Sequence, residues 1–586
     1  MPKIYTKWQE AAGVRFINPY NFVRLNTTVD RKAQEKGELT GVIHCRLQTK
    51  TPLAIPDEER KTMEMTNDTR TPSKKHKKYP FFRVGNTAII PGSEIRGVIR
   101  SAYEAVTNSC MSVINTNILT ARHPTPRIPG CILYNKKTGK WALFNASVEK
   151  SKRPGSIPHP WKDIKGNNRT RYFVVGSTVI VGISDNAVKD YLEVLAMYRS
   201  EKNYKLNSAD YTGCGVTPEK DGGIYPVFYE QIGSGEVYFS PAQVSRSVFH
   251  NRLSDLIGEL KPCGNKDLLN KELCPACRLF GKLEGGAASG SVRFGDAEMI
   301  PRGQDFISDQ TLKELSSPKP SAVEMYTHRP DGALFWNYDY KITAYKRGGK
   351  GEPAIPTRSP CPVKINGRKF YLHHKPDTLD YLTVRTRGQL EKTERNSTME
   401  LVKSGREFRF DIWFEQISEE QLNALLWILT FGSADNDIND GKLWHKIGHG
   451  KPLGLGSVKI VADSVETRKT YCKEGRISRG KLTKYPVPSV NPFSGNNSYG
   501  DLSHIAEARF DKVSYPLADD GTDSKNSKAI HQWFTANRQV DGGINIGGQR
   551  YYGKGVEPVI GKTLPLVQDI KSRSMENLFL PKYEKR

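Results

Sequence analysis

The strongest candidate for chemistry is the pair Cys274 and Cys277, which are separated by two residues. Two thiolates with this spacing can bind one Zn²⁺ at tetrahedral angles. Cys263, separated from Cys274 by ten residues, is the expected third ligand, and His250 is the expected fourth. The alternatives are a redox pair or two buried cysteines, but the surrounding sequence lacks the βαβ pattern of a redox motif. No general base stands beside the pair, so we predict a structural Zn²⁺ site.

A second chemical signal is the basic segment 70–83, where lysines and arginines stand beside three aromatic residues. Cations neutralise phosphates and aromatic faces stack on unpaired bases, so this composition favours nucleic acid as a ligand. Another basic stretch runs from Arg468 to Lys484, and the whole chain has 88 Lys and Arg against 63 Asp and Glu, a net charge of +25. A solvated basic surface is the alternative, but the clustering favours nucleic acid. The lysines of the first segment that are expected to contact nucleic acid are Lys74, Lys75, Lys77 and Lys78.

The composition limits the class of protein. A chain of 586 residues is too long for one small fold, and we expect either several domains or one core with large insertions. Its mean hydropathy is −0.57, and it contains no apolar run near the ~18 residues that a membrane span needs. The first residues lack the apolar stretch of a secretion signal, and nine scattered cysteines are not typical of a disulfide framework. We therefore expect a cytoplasmic protein without a membrane partner.

Hydrophobic periodicity predicts the elements that position these residues. Residues 41–49 and 405–414 alternate with period two, which predicts strands with one buried face. Ser418 and Gln421 form a capping-box pattern at the start of a leucine-rich helix. Gly432 supplies the left-handed residue that commonly ends a helix.

A shorter helix is predicted after Pro91 and Gly92, with Ser93 as its N-cap. Arg96 and Arg100 are four residues apart and therefore lie on one face of this helix. Arginines near a helix N-terminus suit a phosphate, although capped helices with arginines are common.

The glycine-rich segment 448–456 resembles a phosphate loop in composition, but it lacks the spacing of a nucleotide-triphosphate loop and leads into a strand. Glycines beside Lys446 and Lys451 would let a nucleic-acid backbone lie close to the main chain. An ordinary glycine-rich turn is the alternative.

The order of four segments along the chain carries a family resemblance. They are the Pro-Gly-Ser helix at 90–100, Cys-Pro-Ala-Cys-Arg-Leu-Phe-Gly at 274–281, Ser-Val-Arg-Phe-Gly-Asp-Ala at 291–297 and Gly-Leu-Gly-Ser-Val at 454–458. In this order they resemble the RAMP superfamily of CRISPR-associated proteins, and most of all the backbone subunits of type III-like effector complexes. The resemblance covers about 38–104, 246–300 and 400–462.

The resemblance implies an α+β fold with a ferredoxin-like, RRM-related core (βαββαβ) and a protruding hairpin called the thumb. The implied division is an N-terminal arm (1–37), the first part of the core (38–104) with the thumb loop (52–82), a β-rich insertion (105–245), a zinc-binding excursion with a core strand (246–300), a second insertion (301–399), the last part of the core (400–462) and a C-terminal extension (463–586).

In that family the subunit oligomerises along a guide RNA, and thumbs displace a nucleotide at regular intervals in the guide–target duplex during antiviral defence. The resemblance therefore implies four kinds of partner: guide RNA, complementary target RNA, further copies of the chain and other effector subunits. The residues that it carries over as RNA contacts are Ser93, Arg96, Arg100, Lys446, Gly448, Lys451 and Gly454.

Cleavage of RNA is the open alternative. Target-cleaving members carry an Asp in the thumb-side loop, where counting back without gaps places Lys77 and Lys78. Asp57 and Asp68 are the acids that would hold Mg²⁺ there in a longer loop, and otherwise they are solvated carboxylates. We favour a non-cleaving subunit that relies on a separate nuclease. The alternatives are a metal-dependent target-RNA or guide-processing endoribonuclease and a zinc-containing nucleic-acid-binding protein outside CRISPR.

Overall fold

The fold is taken from a computed structural model of the chain. The structure describes residues 16–33, 36–67, 74–114, 119–122, 127–150, 160–162, 168–200, 217–232, 236–242, 246–264, 272–283, 287–315, 317–346, 355–374, 379–383, 385–386, 389–432, 438, 441–508, 513, 515, 544–546, 549–551, 562–570 and 575–580.

The strands are numbered in chain order. Those in the first half are β1 (Tyr20–Val23), β2 (Lys32–Ala33), β3 (Leu39–Thr49), β4 (Thr62–Met65), β5 (Lys75–Tyr79), β6 (Arg83–Val84), β7 (Thr87–Ile90), β8 (Thr120–Arg122), β9 (Ile128–Asn135), β10 (Lys140–Lys150), β11 (Pro160–Lys162), β12 (Asn168–Ile183), β13 (Ile224–Ile232), β14 (Glu236–Ser240), β15 (Arg246–Val248), β16 (Glu272–Leu273), β17 (Val292–Phe294) and β18 (Ala297–Met299).

The second half is also rich in strands. They are β19 (Phe306–Thr311), β20 (Phe335–Trp336), β21 (Tyr340–Lys346), β22 (Ile355–Pro360), β23 (Arg368–Tyr371), β24 (Arg385–Thr386), β25 (Gln389–Leu390), β26 (Ser397–Val402), β27 (Glu407–Ile417), β28 (His445–Lys446), β29 (Ser457–Lys473), β30 (Arg476–Arg479), β31 (Thr483–Lys484), β32 (Ile544–Ile546) and β33 (Gln549–Tyr551). The helices are α1 (Gly92–Val106), α2 (Asp185–Ser200), α3 (Leu253–Leu256), α4 (Pro275–Phe280), α5 (Val323–Tyr326), α6 (Glu419–Thr430) and α7 (Asn497–Ala506). The chain is thus an α+β protein, as the sequence predicts.

An antiparallel sheet forms the centre of the molecule, with β3 between β29 and β27. β17 and β18 pair with the other edge of β27, and β7 pairs with β18. The register places Ile43 opposite Ile412 and Leu47 opposite Phe408, and all four side chains are buried. The alternating patterns that predict strands in these two segments are therefore confirmed, because each strand buries one face in the core.

Helices α1 and α6 pack against this sheet and against each other. The predicted capping box of α6 is present: the Ser418 hydroxyl accepts from Gln421 N at 3.1 Å, and Gln421 Oε1 accepts from Ser418 N at 3.0 Å. At the other end, the helix closes through left-handed Phe431 and Gly432 in succession. The predicted leucine-rich helix is therefore confirmed at both ends.

The N-terminus of α1 differs from the prediction. Pro91 takes the N-cap position without a side-chain bond, and Ser93 lies inside the helix. The Gly92 amide donates to Asp296 Oδ1 at 2.7 Å, and a Cβ at Gly92 would lie 2.3 Å from Phe294 O. The helix begins earlier because the turn between β17 and β18 supplies the capping carboxylate and leaves room only for glycine.

The two largest sheets besides the central one have six and four strands. The segment predicted as a β-rich insertion contains a six-stranded sheet, in the order β11-β12-β10-β9-β13-β14, and α2 packs beside β14. The segment predicted as the thumb loop (52–82) contains the hairpin β4–β5, whose second strand pairs in parallel with β26 in a second sheet of order β19-β26-β5-β4. It is a loop only in part, because β5 buries His76 and Tyr79 against this second sheet.

A third arrangement positions residues near α1. Strand β1 pairs with β23, which places Tyr20 opposite Tyr371. Helix α7, from the predicted C-terminal extension, packs against α1 and β1. The Trp427 indole of α6 donates to the Tyr499 hydroxyl of α7 at 2.8 Å.

Candidate functional site

Four buried cysteines form a compact cluster: Cys110, Cys263, Cys274 and Cys277. Their sulfur atoms all lie within 4.8 Å of one another. Cys110 Sγ is 3.5 Å from Cys274 Sγ and 3.8 Å from Cys277 Sγ. Four Zn–S bonds of about 2.3 Å in a tetrahedron place the sulfur atoms about 3.8 Å apart. The cluster therefore has the dimensions of a four-coordinate metal site.

Two helices bring three of these thiols together. Cys274 is the N-cap of α4, and its sulfur accepts from the Cys277 amide at 3.4 Å. Cys110 follows the end of α1, which packs against α4 through the rings of Tyr103 and Phe280, 5.5 Å apart. The packing of the two helices thus carries Cys110 to the cysteine pair.

His250 lies away from this cluster, and Cys110 takes the fourth position that the sequence assigns to the histidine. The His250 ring has its Nδ1 2.5 Å from Asp190 Oδ2 and stacks on Tyr238 with the centroids 4.2 Å apart. The reason is positional: His250 follows β15, which pairs with β8 and packs beside β14 of the insertion sheet, whereas the cysteines lie between α1 and α4.

Cationic side chains surround the thiols. Arg100 Nη2 lies 3.6 Å from Cys277 Sγ, and Arg368 Nη2 donates to the Cys110 carbonyl at 3.0 Å. Glu104 forms ion pairs with both guanidinium groups. Hydrogen bonds from the other thiols, that of Cys110 first, hold the pKa of Cys263 below the ordinary thiol value. The hydrogen bonds within the cluster also lower the pKa of Cys274 and raise the pKa of Cys110 and Cys277. The cluster therefore favours negative charge on Cys263 and Cys274, and the thiolate is the form of cysteine that binds a metal.

Arg96 and Arg100 share a helix face, as the sequence predicts, but that face points at the cysteine segment. Arg96 donates to the Phe280 carbonyl, and Arg100 donates to the Gly281 carbonyl at 2.7 Å. Both guanidinium groups also lie 6.0 Å from the centroid of the Phe280 ring. Their placement gives the two arginines a role in holding α4 and does not support the predicted phosphate contact.

The opposite side of α1 borders a cavity of about 430 Å³. The helix contributes the small residues Ser93, Gly97 and Ser101, all of which are exposed. The other walls come from β23, the segment around β28 and helix α7. The residues outside α1 that matter for chemistry are Lys369, Tyr371, His373, Trp444, Lys446 and Lys451.

Three lysines converge on this cavity, and in the described part of the chain none of them forms an ion pair with a carboxylate. Lys446 Nζ donates to the Leu455 carbonyl at 2.9 Å. Burial lowers the pKa of both Lys446 and Lys451. The positive charge of Lys451 lowers the pKa of Lys446 further. Glu94 at the rim has the opposite effect on the pKa of Lys451. A cavity lined by such amines attracts an anion, because the anion compensates charge that burial leaves unpaired.

Lys369 stands in a group of three tyrosines. Its Nζ lies 3.9 Å from the centroid of the Tyr20 ring and 5.0 Å from that of Tyr371, and it donates to the Tyr326 hydroxyl at 3.4 Å. Burial lowers the pKa of Lys369 to about 8. The amine is therefore mostly charged at neutral pH and is held by ring faces rather than by carboxylates.

The predicted glycine loop brings Lys446 and Lys451 to the cavity, but its glycines allow close contacts within the protein. A Cβ at Gly448 would lie 2.4 Å from Ala54 O, and one at Gly456 would lie 1.9 Å from Ile447 O. Gly454 is buried in the left-handed conformation. Gly448 is needed for close packing against the segment after β3, and Gly456 for close packing against Ile447. The placement of Gly448 and Gly454 therefore does not support the RNA contact predicted for them.

Comparison with known proteins defines the family. A model of the RAMP superfamily matches residues 46–459. This chain belongs to the RAMP superfamily. A chain of the solved "Type IV-B CRISPR Complex" aligns at 9% identity over 72% of this chain and 89% of its own length, with a TM-score of 0.19. None of the curated proteins matches the sequence.

In this RAMP protein residues 75–79 of the predicted basic segment form strand β5, and residues 70–73 lie outside the described part of the chain. Lys74 pairs with Glu394 at 3.0 Å and Lys78 with Asp309 at 2.7 Å. Lys75 and Lys77 are exposed, and the register places them opposite Met65 and Met63 of β4. The two methionines are exposed as well, by 65% and 48% respectively. One face of the hairpin thus combines positive charge with apolar surface.

Of the two candidate catalytic acids, the structure describes Asp57 but not Asp68. Asp57 is buried, and its Oδ1 accepts from the amides of Glu59 at 3.2 Å and Arg60 at 3.1 Å. This is a buried, turn-forming carboxylate rather than a solvated one, and its placement does not support the predicted contact to Mg²⁺. Asp68 lies outside the described residues.

Sequence reasoning missed Cys110, Lys369 and Trp444. Cys110 has no neighbouring cysteine that would form a ligand motif, and Lys369 and Trp444 stand in segments without a recognisable pattern. Only tertiary packing brings them to the two sites. Among the described helices, none is both long and apolar enough to cross a membrane.

Proposed function

We propose that this RAMP protein is a subunit of a CRISPR effector complex, in which it binds guide RNA and assembles with further copies of itself and other subunits. The cavity between α1 and the glycine loop holds guide phosphates on Lys446 and Lys451, with Ser93 at its edge. The single observation that carries the proposal is the convergence of three lysines without carboxylate partners on this open cavity.

The order of the core elements supports a ferredoxin-like arrangement. Along the chain, β3 and α1 are followed by β17 and β18, then by β27, α6 and β29. In the sheet, β3 lies between β29 and β27, and β17 and β18 pair with the far side of β27. If β17 and β18, which both pair with β27, are counted as one interrupted strand, the order corresponds to βαββαβ with the two helices packed on one antiparallel sheet.

The hairpin β4–β5 is the proposed thumb. Its exposed lysines, Lys75 and Lys77, suit RNA phosphates, and the neighbouring Met63 and Met65 are apolar side chains of the kind that insert between bases. The thumb would displace a nucleotide of the guide–target duplex in this way. We assign target cleavage to a partner nuclease: the Asp57 carboxylate accepts hydrogen bonds within a turn, and the lysines of β5 give the hairpin a positive charge that disfavours bound Mg²⁺.

Zinc is the metal that we assign to the four-cysteine cluster, and its role is structural. Four thiolates around Zn²⁺ leave a net charge of −2, which the nearby guanidinium groups of Arg100 and Arg368 offset in part. Arg100 belongs to α1 and Arg368 to β23. Both elements also border the cavity, through Gly97 of α1 and Lys369 of β23. Metal binding would therefore fix two walls of the RNA site.

The test compares two double variants of equal charge. Purified RNA-free protein is titrated with a fluorescein-labelled guide RNA at fixed salt, using Lys446→Gln with Lys451→Gln against Lys136→Gln with Lys137→Gln. The control lysines are exposed in the turn between β9 and β10. Contacts to charged groups contribute about 1.5–3 kcal/mol each, so losing two should weaken binding on the order of 100-fold or more. Equal weakening in the control would refute the assignment of the cavity.

A further inference from the structure

The cavity is larger than a phosphate group requires. Its volume of about 430 Å³ falls in the range of small-molecule sites, roughly 300–1,000 Å³. The side of the cavity formed by α1 stays open because Gly97 lies there, and a Cβ at this position would meet nothing within 4 Å. A phosphate bound to the lysines would therefore leave space beside it that can hold a further part of the ligand.

Aromatic side chains line that space. The Trp444 ring meets His373 edge-on at 5.8 Å, and its indole nitrogen donates to the Gly441 carbonyl at 3.3 Å. Tyr371 stands on the neighbouring wall, held edge-on against Tyr20 at 6.3 Å. Both rings border the cavity and are only partly buried. Fixed, partly exposed rings beside amines are suited to a ligand that is planar at one end and anionic at the other.

We propose that the cavity receives one unpaired nucleotide of a bound RNA strand, with its base against Trp444 and Tyr371 and its phosphate on Lys446 and Lys451. This inference rests on the proposed function and specifies how the same site binds RNA. Stacking on an aromatic ring accepts every base, so the pocket anchors a nucleotide without reading its identity.

The same chemistry fits a free nucleotide, and the geometry favours the strand. Ser93, Gly97 and Ser101 leave one side of the cavity exposed along the helix. An open side lets the sugar–phosphate backbone enter and leave, whereas a free nucleotide is usually bound with most of its surface covered.

The experiment separates the base from the phosphate. RNA-free protein is titrated with a fluorescein-labelled 20-nucleotide oligouridylate and with a ribose-phosphate strand of equal length that lacks all bases. We expect Trp444→Ala to weaken binding of the oligouridylate by about 5- to 150-fold and to leave the abasic strand unchanged. Trp444→Phe should restore most of the affinity, and Lys451→Gln should weaken both strands.

Gly97→Leu narrows the cavity from the side of α1 and provides a second variant if Trp444→Ala folds poorly. It should weaken the oligouridylate more than the abasic strand. Equal loss for both strands in Trp444→Ala and in Gly97→Leu would overturn the base pocket while leaving phosphate binding intact. No loss for either strand in Lys451→Gln would instead overturn the proposed function. Displacement of the oligouridylate by uridine monophosphate at a concentration lower than that of the oligouridylate itself would overturn the assignment to a strand.

Discussion

Two substitutions of Gly97 can separate the stability of helix α1 from the ability of the cavity to bind RNA. The residue lies in the middle of α1 (Gly92–Val106), is exposed to the cavity, and has open space where a Cβ would be. Glycine in a helix interior costs roughly 0.5–1 kcal/mol relative to alanine. Gly97→Ala should therefore stabilise α1 by up to about 1 kcal/mol and fill little of the cavity.

Gly97→Leu should keep most of this gain, because leucine is also a strong helix former. Its side chain extends into the cavity, however, and would displace the base of the nucleotide from Trp444 and Tyr371. Loss of base stacking on an aromatic ring, worth about 1–3 kcal/mol, weakens binding by roughly 5- to 150-fold. The expected pattern is greater or unchanged stability with much weaker RNA binding.

The assay combines two measurements on both variants. Hydrogen exchange of the amides of 92–106 reports the stability of the helix, and fluorescence anisotropy with labelled guide RNA reports affinity. We expect slower exchange in both variants, an affinity within about threefold of the parent for Gly97→Ala, and the large loss only for Gly97→Leu. A folded Gly97→Leu protein that binds RNA as tightly as the parent would refute the placement of RNA in this cavity.

Four further predictions address the metal, the charges and cleavage. Cys110→Ser should lower both the zinc content, measured by mass spectrometry, and the melting temperature, whereas His250→Gln should retain one zinc per chain; zinc loss only in the histidine variant would contradict the cluster. RNA affinity should fall as pH rises from 7 to 9, because Lys369 loses its charge as pH passes its pKa of about 8, and Lys369→Arg should reduce that slope; identical slopes would contradict a role for this amine. Glu94→Gln should tighten RNA binding a few-fold by removing a like charge from the rim, and unchanged affinity would place the phosphates elsewhere. Labelled complementary RNA should stay intact with the purified RNA-loaded chain and Mg²⁺ or Mn²⁺, and regularly spaced cuts that vanish in Asp68→Ala would favour the enzyme.

The features that the sequence predicts correctly are those whose burial is decided locally. β3 and β27 alternate because each buries one face in the same core, and the capping box of α6 involves only residues three apart. The spacing of Cys274 and Cys277 likewise predicts a shared site, because one short helix carries both thiols.

Other features depend on contacts that spacing does not encode. Periodicity places Arg96 and Arg100 on one helix face, but only the packing of α4 decides that this face meets the Phe280 carbonyl instead of RNA. Lys369 reaches the cavity because β23 pairs with β1, an element far away in the chain. Cys110 joins the cluster through helix packing in the same way.

The most direct test of the proposed function is sequencing of the RNA that copurifies with the protein expressed together with its guide-encoding repeat array. A guide-binding subunit should retain RNAs that share a constant repeat-derived 5′ tag followed by variable spacer sequence, and a Lys446→Gln, Lys451→Gln protein should lose most of them. Retention of heterogeneous cellular RNA without that tag, in equal amounts on both proteins, would contradict the assignment to a CRISPR effector complex.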